Sequence, residues 1–156
     1  ELKLVETSPD NKNKKVVRKN SDDLTRAGKL FKATKAFIED VDVVIAEVPV
    51  GSQSARSMAS YGICVGILAS LNIPIIQVTP QEVKVIATGS KTASKQDMID
   101  WAYATYPKSN FIFHTRNGQQ ILSNKNEHLA DAIATIHAGI ASDTFQQLLK
   151  FQRSVL

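Results

Sequence analysis

Cysteine is almost missing from this sequence, Cys64 being the only one. A single thiol excludes a disulfide scaffold and a cysteine zinc cluster, and it suits a reducing compartment, so a cytoplasmic location is expected. Long apolar runs are missing too. The charge-free run from Ser57 to Gln81 is interrupted by Ser70, Asn72 and Pro74, and its most apolar part, Tyr61 to Leu71, falls well short of the ~20 residues that cross a bilayer. No basic stretch leading into an apolar core opens the chain, so neither a secretory signal nor a membrane partner is expected. The seven glycines are scattered rather than gathered into phosphate-cradling loops, which disfavours a phosphotransferase or ATPase. Repeats and low-complexity tracts are also lacking.

What remains has the composition of a globular protein. Hydrophobic residues make up 43% and charged residues 22% of 156 positions, so one domain over residues 1–156 is expected to bury its own core. The net charge of +4 permits a polyanionic partner without demonstrating one. Ten of the nineteen Lys and Arg residues lie within positions 1–35, against five acids. That basic segment is either a solvated surface or a track for phosphates.

Glu1 to Thr7 alternates polar and apolar residues and predicts a short strand. Ser8 to Asn20 reads as a lysine-rich loop. Ser21 then looks like the N-cap of a helix to Asp40, with Leu24, Ala27, Phe31, Thr34 and Ile38 on one face. Val41 to Val48 is nearly all apolar and predicts a strand buried on both faces. A small-residue, buried helix is expected from Ser52 to Leu71, and a second buried strand from Ile73 to Val78. Thr79-Pro80-Gln81-Glu82 is a capping box with proline at the first helical position; its short helix should stop near Gly89. Another helix spans about Ser94 to Tyr106. Asn117-Gly118 between β-prone flanks predicts a hairpin within 111–122, and a last helix runs from near Asn126 to about Leu149. The sum is an α/β or α+β layered domain.

Two places carry chemistry. Glu47 ends an apolar strand, where an unpaired charge is costly to bury. Either it escapes to solvent at the Pro49 turn, or it lines a site beyond the carboxyl end of the sheet. On the last helix, His128 and Asp131 are three apart, about 60° from each other on one face that also holds Thr135. Leu129, Ile133, Ile136 and Ile140 form the expected core stripe. The His/Asp pair is then either solvated surface or the far wall of a site. Gly51-Ser52-Gln53-Ser54 opens a helix beside Glu47, so the backbone N–H groups around Ser52 and Gln53 are candidates for holding a phosphate, with Arg56 adding charge.

Three segments together resemble the RuvC family of Holliday-junction resolvases, within the ribonuclease-H-like superfamily. They are IAEVPVGSQSARSMASYGICVGILASLNIPI, TPQEVKVIATGSKTASKQDM and HLADAIATIHA, in the family's order and spacing, and the likeness covers Leu2 to about Ile140. The resemblance implies a mixed β-sheet flanked by helices and a metal-dependent endonuclease for four-way or other branched DNA, acting in recombination and repair. It implies that Glu47, His128 and Asp131 are catalytic and bind Mg²⁺ or Mn²⁺ in a two-metal site, His128 serving as ligand or as proton carrier. It places Lys84 and Lys95 near the scissile strand, with Lys91 between them, and implies a homodimer with one site per arm of a symmetric cut. The family's first catalytic aspartate stands on a strand preceding Glu1, so upstream residues are expected; Asp10 is a poor substitute. Some members carry an aromatic three residues after the glutamate. Val50 stands there, which removes base stacking at that point. The rival expectation is a non-catalytic DNA-binding or structural module on the same fold.

Overall fold

The computed structural model describes residues 1–8, 19–48, 51 and 54–155. The lysine-rich stretch 9–18, with Asp10, and Pro49, Val50, Ser52 and Gln53 lie outside the described residues. Among the described residues the chain forms six helices and two separate two-stranded sheets, a mixed α/β architecture. The single mixed sheet expected from the sequence is not formed among them. The chain divides into two compact units: Glu1–Leu4, Ile45–Pro49 and Ile76–Leu156 form one, Val5–Val44 and Val50–Ile75 the other. No helix among the described residues is long and apolar enough to cross a membrane.

Strands β1 (Val44–Glu47) and β2 (Ile75–Val78) pair with each other. Val44 donates its N–H to the Pro74 carbonyl and Val48 donates to Val78, each at 2.9 Å. Both bonds advance in the same direction along the two strands, so the ladder is parallel. Burial of β1 on both faces is not met. Ala46 alone is buried in it, because β1 has one paired neighbour among the described residues.

The unit of Val5–Val44 and Val50–Ile75 holds helices α1 (Lys19–Phe37) and α2 (Ala55–Ala69). The first begins two residues ahead of the expected Ser21 cap, and Leu24, expected on its apolar face, is 76% exposed. The second is capped by Ser54, whose side chain accepts from the Ser57 N–H at 3.1 Å. None of its residues is buried, which corrects the expectation of a buried helix. Its mean composition is apolar, but burial needs a partner surface as well as an apolar side chain.

Every buried hydrophobic residue among the described residues lies in the other unit. Helix α3 (Pro80–Thr88) has the expected capping box, with Glu82 accepting from the Thr79 N–H at 2.7 Å, and it stops at Gly89. Helix α4 (Lys95–Thr105) opens on a second capping box between Ser94 and Asp97. Both pack on α5 (Asn126–Ala141). Val83, Met98, Ile99 and Ala102 meet Ala130, Ile133, Ala134 and Ala138 in one cluster. Of the expected stripe on α5, Leu129 and Ile133 are buried and the other two residues are not. Ile136 is 52% exposed and Ile140 is exposed as well, while small alanines share the buried face. The expected single last helix is two, because Ser142 adopts an extended backbone between α5 and α6 (Asp143–Val155). Its hydroxyl donates to the Gly139 carbonyl at 2.6 Å and accepts from the Phe145 N–H, capping one helix and starting the next.

The predicted hairpin is present, β3 (Phe113–Arg116) against β4 (Gln119–Leu122). Asn117 and Gly118 both take positive φ, 50° and 77°, as a two-residue hairpin turn requires. No strand forms at Glu1 to Thr7; the Leu2 backbone instead exchanges two hydrogen bonds with the Asn110 side chain, at 3.0 and 2.7 Å.

Asn126 ties these parts together. It is fully buried at the start of α5, its Oδ1 accepting from the Ile112 N–H and its Nδ2 donating to the Ile112 carbonyl, both at 2.8 Å. Replacing it with alanine leaves the Ile112 N–H without that acceptor and opens a void. Asn126→Ala should therefore lose about 1–3 kcal/mol. A lower urea midpoint and faster amide exchange at Ile112 are the expected readings.

Candidate functional site

The strand end and the second turn of α5 bring two carboxylates into one electrostatic environment. Glu47 is the last residue of β1, and Asp131 lies on α5 beside the buried Ala130. Both are half-buried. Burial pushes the Glu47 carboxyl above its usual range, and the charge of Asp131 raises it further, while Lys84 pulls the other way. Burial likewise raises Asp131, and Glu127 adds to the rise; His128, Lys84 and Lys95 oppose it. Two carboxylates raised by lost water and by neighbouring negative charge form a site that favours added positive charge.

Local sequence explains each position. Gly139 lets α5 come close to β1, since a Cβ there would stand within 2.6 Å of Ile45 Cδ1 and closer still to its Cγ2. The half-buried Lys84 is held on α3 by a 2.9 Å hydrogen bond from Nζ to the Ala93 carbonyl, so its charge is fixed toward both acids. Lys95 begins α4, where the helix dipole disfavours a cation. Its 2.8 Å ion pair with Glu127 accounts for it there, although the Lys95 side chain is 78% exposed.

Of the residues expected to carry chemistry, Glu47, Asp131 and Lys84 are brought together. His128 is exposed, its charge reaching Asp131 from one turn away. Lys91 is exposed in the turn before α4. Arg56 is committed within its own unit to Asp23, through two hydrogen bonds of 2.5 Å. Glu127 was missed by the sequence reading. It is four residues before Asp131, a stronger same-face spacing than the three that separate His128 from it, and it carries the ion pair. Among the described residues, no group of three or more His, Cys, Asp and Glu side chains is gathered to hold a metal ion. The donors present still suit a hard cation, because Mg²⁺ keeps several waters and takes one or two protein carboxylates.

No family model matches this chain, and no curated protein does either.

The raised carboxyls set the sign of a pH dependence. A carboxyl whose folded pKa lies above its unfolded value binds protons more tightly in the native state. Stability is then lost as pH climbs through that interval, and the penalty is complete above it. Glu47→Gln keeps the shape and removes the charge. It should raise the melting temperature at neutral pH by a few degrees, a gain that fades toward about pH 4, where an unfolded glutamate is itself protonated. Thermal melts of both proteins across that range provide the check.

Proposed function

We propose that this chain is a metal-dependent, structure-selective DNA endonuclease of the RuvC type, on a ribonuclease-H-like fold, hydrolysing phosphodiesters in four-way junctions or other branched DNA. The observation that carries this reading is that Glu47, ending β1, and Asp131, on α5, are both half-buried, with the Asp131 charge acting on Glu47. It joins the end of a parallel strand to a helix in the way the sequence resemblance implies. Glu47 and Asp131 would hold Mg²⁺ or Mn²⁺ through hard carboxylate oxygens. What a bound divalent cation supplies at such a pair is activation of water and stabilisation of a leaving oxygen. His128 sits at the solvent edge of Asp131, suited to ligation or to carrying a proton. Lys84 neutralises part of the carboxylate charge and meets a phosphate near the cut, and Lys91 and Lys95 add further phosphate contacts. A homodimer belongs to this reading, supported by the exposed apolar residues Met58 and Val65 on α2. A monomer by light scattering, with and without junction DNA, contradicts that part.

A non-catalytic DNA-binding module is favoured by one observation, that no group of three or more His, Cys, Asp and Glu side chains is gathered to hold a metal ion among the described residues.

Cleavage separates the two. In the natural full-length protein, Glu47→Gln and Asp131→Asn should each abolish cutting of a four-way junction while leaving binding intact or tighter, because repulsion of phosphate falls. Lys84→Ala and Lys95→Ala should weaken binding and reduce its salt slope by about one phosphate contact each. A Glu47→Gln/Asp131→Asn protein that cuts at the wild-type rate would sink the proposal. A wild-type protein that binds junctions without cutting them would select the module.

A further inference from the structure

Residues 101–126 contain no aspartate or glutamate. The same stretch carries Lys108, His114, Arg116 and Lys125, and it holds five of the ten aromatic residues in the chain. The fold turns this composition into a surface. All four residues of β3 are exposed, as are three of β4. Phe113 is 44% exposed and Tyr103, beside it on α4, is 37% exposed. Their rings meet edge to face at 6.1 Å, and Tyr103 meets the buried Phe111 in the same way at 5.7 Å. An open cleft of about 580 Å³ runs along the hairpin, with Tyr103, Phe113, His114, Arg116 and Gln120 among its walls and no acidic side chain lining it.

The surface is also held in place. Phe111 is buried in the core, Asn126 clamps both polar groups of Ile112, and the Ser123 N–H donates to the Ile112 carbonyl at 2.9 Å. A hairpin rooted at both strands presents its outer residues with little conformational freedom to lose on binding. Nearby acids on the flanking helices are engaged. Asp97 accepts from Ser94, Asp100 from Gln96 and Glu127 from Lys95.

We infer that the β3–β4 hairpin and Tyr103 form a binding surface for unpaired nucleotides, with bases stacking on Phe113 and Tyr103 and phosphates meeting Arg116 and His114. Exposed aromatics interleaved with cations, in a cleft without acids, match single strands better than duplex, because paired bases hide their faces. Gln120 adds amide groups suited to base edges. The inference rests on the branched-DNA reading for the source of those nucleotides, beside a branch point, yet its test needs neither metal nor cleavage.

The test is fluorescence anisotropy of the full chain with a labelled oligothymidylate and with a blunt duplex of equal length, in chelator. Wild type should prefer the single strand. Phe113→Leu keeps apolar bulk but removes the ring, and should weaken single-strand binding by on the order of tenfold. Arg116→Gln, beside the turn and away from the core, should weaken it several-fold without changing the melting temperature, and it decides the matter should Phe113→Leu fail to fold. Folded variants that bind oligothymidylate as wild type does, equal affinity for duplex, or equally tight binding of polyglutamate peptide would each overturn the inference. So would loss of self-association on light scattering as the sole effect of the variants. Failure of junction cleavage with this binding pattern intact would remove the nuclease reading and leave the surface standing.

Discussion

The approach of α5 to β1 is the constraint on which the candidate site depends. Gly139 has no side chain at the point where Ile45 presses against the helix. Ala130, Ala134 and Ala138, at a spacing of four, form the adjoining small face that packs on α3 and α4. A helix lined by larger residues would stand farther off, as helix packing distances follow the side chains at the contact. Asp131 would then move away from the Glu47 carboxylate. The same closeness removes water from both acids, so the geometry that builds the pair also raises their pKa values.

Such a pair is a liability for the fold and, on the proposed function, an asset for chemistry. The protein offsets it with fixed positive charge rather than by separating the acids. Lys84 is anchored through Ala93, and Lys95 is committed to Glu127, which itself worsens the balance at Asp131. A charge arrangement that serves stability alone would pair each acid with its own cation. Here two lysines serve three carboxylates, and the deficit lies between Glu47 and Asp131.

What the sequence made legible was local. The Thr79-Pro80-Gln81-Glu82 box, the stop at Gly89 and the Asn117-Gly118 turn each depend on residues within a few positions of one another, and each formed as expected. The place of Glu47 at the end of a strand was legible because a carboxylate closing an apolar run stands out in any context. Tertiary choices were not legible. Ile136 and Ile140 fit a helical stripe with Leu129 and Ile133, but only the latter two are buried, together with the alanines on an adjoining face, so packing rather than hydrophobicity decided the buried face. Leu2 and Leu4 alternate like a strand, yet Asn110 captured the Leu2 backbone from more than a hundred residues away. Ser142-Asp143 did carry a cap signal, hidden within a run of helix formers. Asn126 gave none, since a buried asparagine is explained only by the backbone it clamps.

Whether Glu47 and Asp131 act as one cation site can be read by titrating Mn²⁺ into the full chain and following the electron paramagnetic resonance signal of the free ion. Wild-type protein should remove free Mn²⁺ from solution, and Glu47→Gln/Asp131→Asn protein, folded by its melt, should not. An undiminished signal with wild type, or equal uptake by the double variant, would contradict a shared cation site.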